Sequence, residues 1–479
     1  MNLTSFVVSC VENALPKALR VLRESYTSTG DWDSLETLYA ERLPEVDDRL
    51  AHHYARSEES GKAIEALTRV AERAARHYAH AEAVRALEEA ARHAERLPAG
   101  ARDAVLVGAT LRQAHSLYFL GRFPDSRERL LAQRERVERL ADPALAGPYH
   151  FWLGYTLSHL GDHEEADRHA GRALDAATRC GDRVTQGQAY YLLARGGFWG
   201  GRFADGVAHA RRAAALLEPT GERWWLGAAY WGAAFNHGFR GEFRDALAAA
   251  AAAEAVGRAI GDPRLSAYAA WTTGWLRAAM GDCDAGIAAC RESLDRSPDP
   301  VNTADAMSFL GYAYVAKGDA PHAIPLLEEA ARRWSRSQHR PMWSWFTAVL
   351  AEACLLDRQL DRARALAEAA ATAAAAAQFP YGLAAARRAR GRIAWAGGTA
   401  AEAEDALVAA LETFEAIEAR YDAARTRLDL AAVLHAGGRS GAAAEHLAEA
   451  RRAFAALEAP VHAAHAAALA RELGLPPSA

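Results

Sequence analysis

Leu120-Gly121-Arg122-Phe123, Leu160-Gly161-Asp162-His163, Gly200-Gly201-Arg202-Phe203 and Arg240-Gly241-Glu242-Phe243 are four copies of one turn. The glycine returns at Gly281, Gly318, Gly398 and Gly438, with Arg358 in the same place in the one copy that lacks it, so the spacing is 40 residues throughout except for a single step of 37. Seven residues before each anchor stands a small residue: Ala114, Gly154, Ala194, Ala234, Gly274, Gly311, Ala351, Gly391 and Ala431. Five residues after it stands another: Ser126, Ala166, Gly206, Ala246, Gly286, Ala323, Ala363, Ala403 and Ala443. Two helices approach closely only where neither carries a bulky side chain at the crossing, so small residues flanking a glycine turn describe a tight helical hairpin. A hairpin repeated at fixed period gives an all-α solenoid.

The repeats run over about residues 101–475. In each, a first helix ends at the glycine and a second begins just after it, as in 147–160 and 164–179. A second kind of break joins the hairpins: Cys180-Gly181-Asp182, Thr220-Gly221-Glu222 and Ile260-Gly261-Asp262 early on, and Arg340-Pro341, Phe379-Pro380 and Ala459-Pro460 later. Glycine caps the outgoing helix and the acid or proline starts the next. Residues 1–100 are less regular, and helices near 34–42, 44–56, 63–77 and 81–97 are expected to form an N-terminal cap.

Small residues at −7 and +5 with apolar partners between them make the chain resemble the tetratricopeptide-repeat proteins, in their longer-helix form. That resemblance implies a right-handed superhelical solenoid of tandem hairpins whose first helices face a concave groove. A second resemblance covers residues 35–98. Leu50-Ala51-His52-His53-Tyr54, Lys62-Ala63-Ile64, Ala71-Glu72-Arg73-Ala74 and Ala81-Glu82-Ala83 are similar to the junction at which bacterial multidomain signal-transduction ATPases pass into their repeat region. It implies a sensor or docking arm that works with an ATPase and an output domain, whether cyclase, kinase or helix-turn-helix, encoded elsewhere.

Chemistry is sparse. A phosphate loop needs Gly-x-x-x-x-Gly-Lys-Ser/Thr, but near Ser60-Gly61-Lys62-Ala63 the first glycine is Arg56 and the magnesium-binding hydroxyl is Ala63. His163-Glu164-Glu165-Ala166-Asp167 starts like a zinc-protease helix and then places Asp167 where the second histidine belongs. The five cysteines, Cys10, Cys180, Cys283, Cys290 and Cys354, form no Cys-x-x-Cys pair. A net charge of −5 with interleaved signs gives no footprint for nucleic acid. No apolar run approaches membrane length, so the chain is expected to stay in the cytoplasm. These readings call for no enzyme, no cofactor and no metal.

One constellation rises above that background. Ten residues before the anchor, four consecutive repeats carry Phe151, Tyr191, Trp231 and Trp271, and six before it stand Tyr155, Arg195, Phe235, Trp275 and Tyr312. Positions four apart share one helix face. Phe198 and Trp199 reach the same face. By the tetratricopeptide resemblance that face lines the groove, where the rings are expected to be partly exposed in the empty protein and to grip a peptide, a partner protein or a small effector, with Arg195 available to an acid. The opposing reading is that a tight superhelix buries the same rings as core. The expected partners exclude nucleic acid and membrane.

Overall fold

A computed structural model describes residues 59–475 of the chain. Among them are 22 α-helices, numbered here α1 to α22, and no strand. The chain divides into two compact units, Met1–Ala109 and Thr110–Ala479. None of the described helices is long and apolar enough to cross a membrane.

In the first unit, α1 (Ser60–Arg76) and α2 (His80–Ala94) form a hairpin held by Ala63, Ala66, Leu67 and Val70 against Ala83, Ala86, Leu87 and Ala90. These are the third and fourth expected cap helices; the expected helices at 34–42 and 44–56 lie outside the described residues. The boundary between the units falls inside α3 (Ala99–Phe119).

The second unit is a run of hairpins. After α4 (Phe123–Leu131) and α5 (Arg134–Leu140) come the pairs α6 (Pro143–Leu160) and α7 (His163–Cys180), α8 (Arg183–Trp199) and α9 (Phe203–Leu217), α10 (Arg223–Arg240) and α11 (Phe243–Ile260), and α12 (Pro263–Ala279) and α13 (Cys283–Asp295). They continue as α14 (Pro300–Lys317) and α15 (Ala320–Ser337), α16 (Arg340–Leu356) and α17 (Leu360–Ala376), α18 (Pro380–Ala396) and α19 (Ala400–Ala416), and α20 (Arg420–Ala436) and α21 (Ser440–Ala456), closed by α22 (Pro460–Glu472).

The local reasons are those of the sequence. At the hairpin tips the amide of Arg202 donates to the carbonyl of Gly197 at 2.8 Å and that of Glu242 to His237 at 2.9 Å, closures that need the intervening Gly201 and Gly241 at φ +73° and +79°. Arg358 holds the same left-handed conformation at φ +62°. Asp142, Asp182 and Asp262 accept from the first free amides of α6, α8 and α12. The small positions sit at helix crossings: a β-carbon on Gly274 would come 2.3 Å from Sγ of Cys290 and 2.8 Å from the carbonyl oxygen of Gly286.

The solenoid is wound so closely that one turn rests on the next. Gly121 lies against Val301, Gly161 against Pro341 and Ala377, Gly201 against Pro380 and Ile417, Gly241 against Tyr421 and Leu457, and Gly281 against Val461. In each case the first of these partners is 179 or 180 positions further along, so about four and a half repeats complete one superhelical turn. Arg240 pairs with Glu418 at 3.2 Å, Arg244 pairs with Glu458, and Nε2 of His462 meets the carbonyl oxygen of Ala279 at 2.7 Å across the same seam. Around Gly318, Gly398 and Gly438 a β-carbon would meet nothing within 4 Å.

Candidate functional site

The stripe residues fall on the first helices of successive hairpins: Phe151 and Tyr155 on α6, Tyr191, Arg195, Phe198 and Trp199 on α8, Trp231 and Phe235 on α10, Trp271 and Trp275 on α12, and Tyr312 on α14. Its rings interlock from helix to helix. Trp231 stacks on Tyr268 at 5.0 Å, Trp271 lies 4° from parallel to Phe309 at 4.4 Å, and Phe235 meets Trp275 at 5.2 Å.

The expected exposure is not there. Tyr191 is 0% exposed, Trp271 1% and Trp231 5%, and of the eleven stripe residues all are buried except Tyr312, which is partly exposed. The reason is the winding. Trp345 and Tyr381, from the second turn, fill the bore that an open groove would leave empty. Trp345 meets Phe239 at 5.2 Å and Trp275 at 5.8 Å, and Tyr381 meets Phe239 at 4.5 Å. Over Phe151 to Trp275 the inner face is therefore a column of aromatic core.

Polar groups are trapped in that column. His159 Nδ1 lies 2.8 Å from the carbonyl oxygen of Tyr155, which requires its proton there, so Nε2 is left to accept from the Arg195 guanidinium at 3.1 Å. Burial, then the charge of Arg195, holds this imidazole well below its usual range, hence neutral. Burial likewise depresses His163, to about 3. Arg264 is sealed too, but it has an acid, Asp299, at 3.4 Å.

Where the aromatic column ends, the same face opens. Trp345, Tyr381 and Tyr312 help to line a chamber of about 410 Å³, whose remaining wall mixes apolar and charged side chains. Positions that carried rings in the first turn carry Glu352 on α16 and Arg388 and Arg392 on α18, joined by Asp429 from α20. Glu352 pairs with Arg392 at 2.6 Å and Arg388 at 3.3 Å, and Asp429 with Arg388 at 2.7 Å. Nearby, Asp422 accepts from the Tyr381 hydroxyl at 2.9 Å and pairs with Arg425 at 3.3 Å. Burial works to raise the Glu352 carboxyl, but Arg392 and Arg388 outweigh it and hold the group below the ordinary carboxylate range. Reading the sequence for aromatics stops at Tyr312 and misses this network. The signal was present, because Glu352, Arg388 and Arg392 occupy the −6, −10 and −6 positions of their repeats.

No family model matches the chain, and no curated protein does. Among solved structures it is similar to a Rap protein complexed with competence and sporulation factor, at 13% identity over 74% of this chain and 98% of that one, with a TM-score of 0.57. The fold is a tetratricopeptide-type solenoid. Weaker likenesses include the apo quorum sensor NprR from B. thuringiensis, at 13% identity over 73% of this chain and 98% of that one (TM-score 0.46). Another is a signal-transduction ATPase with a tetratricopeptide repeat sensor from Pyrococcus horikoshii, at 14% identity over 75% of this chain and 55% of that one (TM-score 0.41).

Proposed function

We propose that the protein is a non-enzymatic sensor or interaction scaffold whose binding surface is the open chamber of its second turn. The observation that carries this reading is the change along one inner register: dry aromatic core from Phe151 to Trp275, then an accessible cavity with paired charges and four aromatic side chains from Tyr312 to Asp429. A preformed concavity of this volume loses little entropy on closing over a ligand, and aromatic anchors beside fixed charges give orientation. The ligand class that suits it is a short peptide or partner segment, whose main chain and side chains supply both donors and acceptors; a small zwitterionic effector shares that chemistry. The Rap structure, solved with its factor bound, supports a binding role for the fold. The other stripe residues, Arg195 among them, belong to the buried column of the first turn, and Tyr312 is the one that meets the ligand directly.

The test is selection from a random peptide library on the intact chain, followed by titration of the best binder. Tyr312→Ala and Arg392→Met should each weaken that binder about tenfold or more. Both side chains are only partly buried, so the fold should survive. Unchanged affinity in both variants would remove the chamber from the binding surface.

A further inference from the structure

Separate from the open chamber, the bore of the first turn contains a cavity of about 20 Å³, walled in part by Arg195, His159, Trp199, Trp271, Asp305 and His339. Arg195 is 3% exposed, and among the described residues it makes no ion pair. Its guanidinium donates to the neutral His159 and lies beside the Tyr191 hydroxyl, both uncharged. Its Nε has no partner, and neither have the indole N–H groups of Trp199 and Trp271, all three buried. Guanidinium and indole N–H groups can only donate. Three side chains on one cavity thus offer hydrogens that no hydrogen bond takes up, and one of them carries a charge that no ion pair balances. The contrast within the same bore is Arg264, whose charge is met by Asp299.

The acid on this wall does not balance Arg195. The two form no ion pair, and burial pushes the Asp305 carboxyl well above the carboxylate range, which disfavours the charge that could balance the guanidinium. A water could accept two of these hydrogens but would leave the charge uncompensated in a dry aromatic column, where an isolated ion is costly. The rings over which the guanidinium lies, Tyr155 at 4.9 Å and Phe198 at 5.4 Å, only partly offset it.

We infer that this cavity is a binding site for a small monovalent anion, a halide ion or the carboxylate of a small acid, held against Arg195 with the indole N–H groups of Trp199 and Trp271 as further donors. The small volume, about 20 Å³, suits a halide ion or a one-carbon carboxylate better than a bulkier acid.

The full-length chain in sodium gluconate, an anion too large for the cavity, is titrated with sodium chloride and separately with sodium formate at constant ionic strength. The readouts are the thermal midpoint and, for chloride, the excess line width of the chlorine-35 resonance. A saturable rise in midpoint of about 2 °C or more is expected with at least one of the two. Response to chloride alone marks the site as a halide site, and response to formate alone as a carboxylate site. Arg195→Met should abolish the response. Trp199→Phe keeps a ring in place and removes one donor, so it should weaken the apparent affinity about threefold to tenfold, and it decides the matter if Arg195→Met does not fold. No saturable response to either salt in the unaltered protein, or an undiminished one in Trp199→Phe together with any foldable Arg195→Met, would overturn the site and leave the cavity to water.

Discussion

Trp271→Ala is expected to destabilise the protein by about 3–5 kcal/mol, the range for emptying a large aromatic site in a core. The indole is 1% exposed, lies flat against Phe309 at 4.4 Å and meets Trp231 and Phe235 edge-on at 5.8 Å. These neighbours belong to two other helices, α10 and α14, whose backbones prevent them from collapsing into the space left behind. The control is Trp395→Ala. That ring is 39% exposed, and its loss should change stability by no more than about 0.5 kcal/mol. Urea titration of the two variants reads the difference. Equal, small effects would mean that Trp271 faces solvent and that the first-turn stripe is a groove after all.

The second large effect separates local strain from contact between superhelical turns. Gly201 and Gly398 share nearly the same backbone conformation, φ +73° and +81°, so alanine at either costs about 1–2 kcal/mol for a left-handed non-glycine residue. Only Gly201 has the next turn above it. A β-carbon there would stand 2.7 Å from Cγ2 of Ile417 and 3.0 Å from Cγ of Pro380, whereas Gly398 has nothing within 4 Å. Gly201→Ala should therefore lose about 1–3 kcal/mol beyond the loss in Gly398→Ala, through overpacking across the seam. Identical melting shifts would place Gly201 away from Pro380 and Ile417.

These two cases show where the sequence was legible and where it was not. The hairpins were legible because their requirements are local. Gly274 must be small to pass Cys290, and Gly201 must adopt a left-handed turn, so period and small positions repeat in plain view. That the stripe shares one helix face followed from helix geometry, and the resemblance to tetratricopeptide repeats turned that face inward. Whether it is wet did not, because that depends on Trp345 and Tyr381 arriving from a turn more than 100 residues later. Nothing near Phe239 or Trp275 announces those partners. Arg195 shows the same limit: read as a groove residue waiting for an acid, it lies sealed in the column on neutral His159. The charged chamber was missed for a different reason. Glu352, Arg388 and Arg392 continue the inner register with ion pairs in place of rings, and a search for like residues passes over a change of chemistry at constant position.

Residue-resolved hydroxyl-radical footprinting of the intact, ligand-free chain tests the close winding most directly. With the second turn seated on the first, Trp231, Trp271 and Trp275 should remain unmodified while Trp395 is oxidised readily. Oxidation of those three at the rate of Trp395, under conditions where the chain is folded, would show an open bore and contradict the buried aromatic column on which the placement of the binding chamber depends.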